Sequence, residues 1–246
     1  MIKYIGIVMG LLSTFASYTQ NQMRPVEDLI NTNEPGWPLV QGWIKLATNK
    51  VEILSGDSLN GRDALYKTQV TTRSPMGAII YSTGGILIDH GWIRILGSGS
   101  TRLNRTLPDW NKGISINEFG ERPPFLLIAD DVVGGFFAIN GGSFGEDFGK
   151  VYYLAPDNLE WESLGMTYTE FLFFCFNGKL DKFYKTLRWK KWEKEVAVLD
   201  GNEVYNFYPF LWTKEGKNIE KCSRKNVPIL EQYQLNINMR KQLGIE

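Results

Sequence analysis

Residues Phe125–Asn177 read FLLIADDVVGGFFAINGGSFGEDFGKVYYLAPDNLEWESLGMTYTEFLFFCFN. Three aromatic and β-branched runs, Phe125 to Ala129, Phe136 to Ile139 and Val151 to Leu154, are separated by Asp-Asp, Gly-Gly and glycine-rich turns. Such runs suit a pleated, half-buried surface, and glycine supplies the positive φ that tight hairpins need, so the stretch predicts an antiparallel meander. A helix is predicted over Met166 to Asn177. Thr167 can cap it, and Glu170, three residues on, completes a capping box.

Outward from this stretch, Ile86 to Ile88 and Trp92 to Leu96 read as two more strands around an Asp89-His90-Gly91 turn. Val51 to Leu54 and Val204 to Phe207 are further short strand candidates. Helices are predicted at Val26 to Asn31, Pro38 to Thr48, from a Ser58 or Asn60 cap through Val70, and from Ser74-Pro75 to a left-handed glycine cap near Gly84-Gly85. Gly97 to Pro108 reads as a loop. Leu180 to Leu187 and Trp189 to Val196 read as helical, and Pro228 to Leu243 as a closing helix. Helices, then strands, then helices predict an α+β fold: a mostly antiparallel, curved central sheet flanked by helices, with a C-terminal helical extension. Residues 20–246 are expected to form one domain, with a helical part (24–85), a sheet core (86–165) and a second helical part (166–246).

The chain has 246 residues, 43% of them hydrophobic and 13% aromatic, enough apolar surface for a core without disulfide staples. Formal net charge is zero, which excludes a chain built as a whole to sit on nucleic acid. The zero hides an asymmetry: residues 20–178 carry a net −6, and residues 179–246 a net +5. At the start, Lys3 precedes an apolar run, Tyr4 to Ala16, with small residues after it. Residues 1–19 are therefore read as an export signal, which places the mature protein in the periplasm or outside the cell. The run is shorter than the roughly 20 residues of a stable membrane span. If Met23 is the true start, the protein is cytoplasmic.

Reactive chemistry is sparse. His90 is the single histidine, and Cys175 and Cys222 are distant in sequence, so histidine-rich zinc sites and Cys/His knuckles are excluded. Cys175 sits within an apolar helix face, where a buried free thiol is expected; pairing with Cys222 is the alternative. Asp89 and His90 are the candidates for acid–base work, which would need the carboxylate to orient the imidazole. Gly149-Lys150 is followed by Val151, and Phe144 stands where a phosphate loop requires its first glycine. The glycines are therefore read as hairpin glycines, and no cofactor is expected. The acids Asp130, Asp131, Glu146, Asp147, Glu160 and Glu162 flank the strands without calcium-loop spacing. They are candidates for a negative rim facing a basic partner protein. Lys179 to Lys194 holds seven basic and two acidic residues interleaved with Phe183, Tyr184, Trp189 and Trp192. That texture suits an amphipathic helix, and a nucleic-acid partner is not expected.

Several motifs also carry a resemblance: Glu34-Pro35-Gly36-Trp37-Pro38-Leu39-Val40, Asp130-Asp131, the run Gly134 to Gly142, Gly149-Lys150-Val151-Tyr152-Tyr153, and Trp161-Glu162-Ser163-Leu164. Together, across roughly Met23 to Leu243, they resemble a bacterial family catalogued as domain of unknown function 2625. The central part, Phe125 to Asn177, is also similar to the SUKH superfamily of α+β proteins with a curved sheet. Many of these are immunity proteins that bind and neutralise toxins; others are scaffolds. The resemblance implies protein binding rather than catalysis and transfers no catalytic residue. Such immunity proteins are usually cytosolic, so with an export signal a toxin partner would have to act in, or pass through, the periplasm.

Overall fold

The computed structural model describes residues 23–245; the expected export segment lies outside the described residues. Seven strands form one sheet in strict chain order: β1 (Val51–Leu54), β2 (Gly85–Ile88), β3 (Ile93–Leu96), β4 (Phe125–Asp131), β5 (Phe136–Asn140), β6 (Val151–Leu154) and β7 (Trp161–Met166). Every neighbouring pair is antiparallel. Nine helices are described: α1 (Val26–Leu29), α2 (Trp37–Lys45), α3 (Ser58–Thr68), α4 (Pro75–Ser82), α5 (Leu107–Asn111), α6 (Tyr168–Asn177), α7 (Leu180–Phe183), α8 (Trp192–Val196) and α9 (Ile229–Leu243). A separate hairpin pairs β8 (Glu203–Tyr208) with β9 (Ser223–Pro228). Among the described residues, no helix is long and apolar enough to cross a membrane.

The pleat sorts the side chains. Register sets Phe137 opposite Tyr153, and Phe136 opposite both Asp130 and Leu154. Successive residues in a strand point to opposite faces, so Phe137 and Tyr153 share one face and Phe136, Asp130 and Leu154 the other. The first face packs on the helical layer: Phe171 of α6 lies 4.9 Å from Phe137, and Phe183 of α7 lies 5.4 Å from Tyr153 between ring centres. On the second face, Tyr233 of α9 meets Phe136 edge-on at 5.0 Å, with Trp110 of α5 beside it at 6.3 Å. Both faces are covered, which is why every residue of β2, β3 and β6 is buried and why β2 and β6 read as continuous apolar runs rather than alternating ones.

The α+β meander and its closing helix are as expected from the sequence. The capping box of α6 forms, with the Thr167 hydroxyl accepting from the Glu170 amide. Other elements differ. The cap of α3 is Asp57, whose carboxylate accepts from the Leu59 and Asn60 amides. Helix α4 ends in extended Thr83 instead of a left-handed glycine. The stretch from Gly97 to Pro108 gives way to a short helix, α5, capped by Thr106. The helical reading of Leu180 to Val196 shrinks to two single turns, α7 and α8. Lys191 between them is left-handed (φ 67°), and the intervening Arg188 and buried Trp189 pack against the Trp92 ring. Strands β7 and β9 are additions to the expected set. Cys175 and Cys222 are both buried and free, and burial raises both thiols above their ordinary pKa.

Candidate functional site

Asp130 and Asp131 do not sit on a rim. Both are fully buried. Asp130 lies beside Arg94, whose Nε donates to Oδ1 at 2.5 Å, and beside Arg105, whose Nη1 donates to Oδ2 at 2.7 Å. The two guanidiniums reach on to the carbonyls of Glu203 and Gly201, which ties the start of β8 to the sheet. Asp131 closes the β4–β5 turn by accepting from the Val133 and Gly135 amides, and takes the hydroxyls of Tyr153 at 2.7 Å and Tyr184 at 3.1 Å. Burial pushes the Asp131 carboxyl up, opposed by these hydrogen bonds and by Arg94. The aspartate pair is therefore a buried polar joint, and the expectation that it meets a partner is corrected: desolvated carboxylates with two arginines and two tyrosines already satisfied have no surface to offer.

The other four acids lie along the outer edge of the sheet. Glu146 and Asp147 belong to the β5–β6 turn, Glu160 to the β6–β7 turn, and Glu162 to the edge strand β7 itself. Glu146, Glu160 and Glu162 are exposed. Asp147 instead braces the turn: it accepts from Tyr152 Oη at 2.7 Å, Asn140 Nδ2 at 3.0 Å and Ser163 Oγ at 2.9 Å. The Tyr152 hydrogen bond is the main cause that holds its carboxyl below the ordinary value. Asn140 completes the brace, its Oδ1 accepting from the Gly142 and Phe144 amides. Phe144 stacks on Trp161 at 4.5 Å beneath the turn, while Phe148 on top is 60% exposed. The result is a stiffened loop that presents one aromatic ring beside carboxylates.

Asp89 and His90 line a second feature, a cleft of about 780 Å³ where the chain entering β1, the β2–β3 turn and the segment after α6 meet. The turn is three left-handed residues in a row, Asp89 (φ 51°), His90 (63°) and Gly91 (92°). The Thr48 and Asn49 amides donate to the Phe176 carbonyl, and Asn49 Nδ2 donates to the Cys175 and Gly178 carbonyls, fixing one wall. Arg188, 9% exposed, lies between the rings of Trp92 and Trp192 at 4.9 and 4.1 Å and pairs with Asp89 and Asp181. The Asp89 carboxylate is thus committed to Arg188. His90 turns the other way: its Nδ1 lies 3.4 Å from Lys50 Nζ, and its ring meets Trp192 edge-on at 5.9 Å. The two neighbours in sequence do not form the oriented carboxylate–imidazole pair that acid–base work requires. From the sequence, Trp192 is read only as part of an amphipathic helix, and Lys50 and Arg188 are not singled out. The available signal was the basic and aromatic interleaving of Lys179 to Lys194, which places a mostly covered arginine among tryptophans.

Fold and sites together define an α+β protein built on an antiparallel meander, with its buried acids serving structure and its exposed acids strung along one sheet edge. The chain belongs to the family described as protein of unknown function DUF2625, whose model matches residues 26–232. It is 45% identical over 214 residues to an uncharacterized protein of Haemophilus influenzae (strain ATCC 51907 / DSM 11121 / KW20 / Rd), covering 87% of this chain and 94% of that one. It is 44% identical over 223 residues to the putative uncharacterized protein YbfG of Escherichia coli (strain K12), covering 89% and 98%. No solved structure matches.

Proposed function

We propose that this protein is a binding module that holds a partner protein against the acidic β7 edge, in the manner of an immunity or scaffolding protein. The observation that carries the reading is Phe148, exposed on a turn that Asp147 and Asn140 have already stiffened, beside Glu146 and along the strand from Glu162. A rigid aromatic anchor ringed by charge loses little conformational freedom on docking, and the carboxylates select a basic face. Strand β7 pairs only with β6 among the described strands, so its outer edge carries no strand partner. The resemblance of Phe125 to Asn177 to SUKH proteins points the same way, and a toxin is the partner that resemblance implies.

The test has two stages. Full-length mature protein captures its partner from extracts of the source cell, and the recombinant partner is then titrated against wild type, Phe148→Ala and the double variant Glu146→Lys/Glu162→Lys. A loss of at least tenfold in affinity for both variants is expected, and equal affinities for all three proteins would refute the reading. We further propose export through residues 1–19. Mass analysis of the mature N-terminus should find a chain beginning near Gln20; a retained Met1 or a start at Met23 removes that proposal.

A further inference from the structure

The basic cleft beside His90 is independent of the acidic edge. Lys50, Lys179 and Lys182 line it, and among the described residues none of the three has a carboxylate within ion-pair distance. Three carboxylates also line it. Asp89 and Asp181 are both drawn to Arg188, whose single charge offsets one of them, so with Glu193 the lining sets four basic groups against three acids, a net +1. The donors are held in place from behind. Lys50 follows Asn49, which is pinned to the end of α6, and Lys179 and Lys182 follow that same end. His90 Nδ1 lies 3.4 Å from Lys50 Nζ, so the imidazole adds a polar edge to the same wall. Arg188, in the cleft wall, has its Nε–H buried with no acceptor. Ammonium and guanidinium donors in a cleft of net positive charge favour a ligand of the opposite sign.

We propose that this cleft binds a small, multiply charged oxyanion of the phosphate class. Several ammonium groups lining one cleft, backed by an aromatic-clamped arginine, suit an anion with acceptor oxygens on more than one side. Singly charged or neutral ligands would leave most of these donors unmatched. The cleft volume accommodates a di- or triphosphate-sized group.

The experiment is isothermal titration of the mature full chain at low ionic strength with inorganic phosphate, pyrophosphate and tripolyphosphate. Wild type, Lys50→Ala, Lys182→Ala and the control Lys217→Ala, a lysine outside the cleft, are compared. All are exposed or half-exposed positions, and circular dichroism verifies folding. Saturable binding that strengthens from phosphate to tripolyphosphate is expected, with each cleft variant weakened at least tenfold and the control unchanged within twofold. Absence of saturable binding to any of the three anions would overturn the proposal. So would equal weakening in the control, which would reduce the effect to general surface charge. Neither outcome touches the acidic edge, whose partner titration stands separately.

Discussion

Asp130 is the residue on which most depends. Two arginines face one carboxylate in a region closed to water, so removing it leaves buried charge without compensation. Asp130→Ala is expected to cost about 3–5 kcal/mol in urea unfolding, whereas Glu162→Ala on the exposed edge should stay within about 0.5 kcal/mol. Asp147 makes a prediction with a pH sign. Its folded pKa is depressed below 3.8, mainly by the Tyr152 hydroxyl, so its contribution to stability is present above the ordinary carboxyl value and is lost as pH falls through the lower folded one. Thermal melts of wild type and Asp147→Asn should differ at pH 6 and converge as pH falls through the depressed folded value. A gap that widens in acid would contradict the brace. Neither role is visible in the sequence. An Asp-Asp pair before Val-Val-Gly-Gly reads as a solvated turn, because the arginines that desolvate it lie 36 and 25 residues away. Hydrophobic patterning carries no information about such distant polar partners.

Among the elements, those with strong local chemistry were legible. Strands β4, β5 and β6 follow from their aromatic runs, and α6 from Thr167 and Glu170. Thr167→Ala should lower stability by about 1 kcal/mol by removing the capping hydroxyl, and Thr167→Ser should restore most of it. The β4–β5 turn tests the packing of glycine directly. A methyl group on Gly135 would meet Tyr153 Oη at 2.4 Å and Asp131 Oδ2 at 2.5 Å, so Gly135→Ala should cost about 1–3 kcal/mol by chemical denaturation. Gly149→Ala, where φ is +79° but no atom stands within 4 Å, carries only backbone strain and should cost less. Elements with weak local chemistry were not legible. Strand β9, Ser-Arg-Lys-Asn-Val-Pro, has little apolar character and exists because β8 pairs with it along its whole length. The helical stretch expected over Leu180 to Leu187 and Trp189 to Val196 breaks because Arg188, Trp189 and Trp192 gain more from the Trp92 and Tyr184 cluster than from continuing a turn.

At the scale of the whole molecule, the charge asymmetry read from the sequence acquires a geometry. Its acidic half ends on the β7 edge, and its basic half begins at the cleft beside His90. Both thiols should stay silent towards Ellman's reagent in the native protein and react as two equivalents in guanidinium, since each is buried and raised in pKa. Exposure of either in the native state would mean that α6 or the segment before β9 opens readily.

The strict chain order of the sheet has a consequence for synthesis. Each strand finds its neighbour within the stretch of chain that has just emerged from the ribosome, so loop closure favours zipping from β1 towards β7 before the last eighty residues exist. At that stage the Arg94–Asp130 pair still faces water on the side that Gly201, Glu203 and α9 will later cover. The carboxyl-terminal quarter therefore acts as a clasp fitted last. A nascent chain arrested short of Glu203 would carry a paired sheet with a wet, charged and aromatic underside, which makes it a natural client for chaperones.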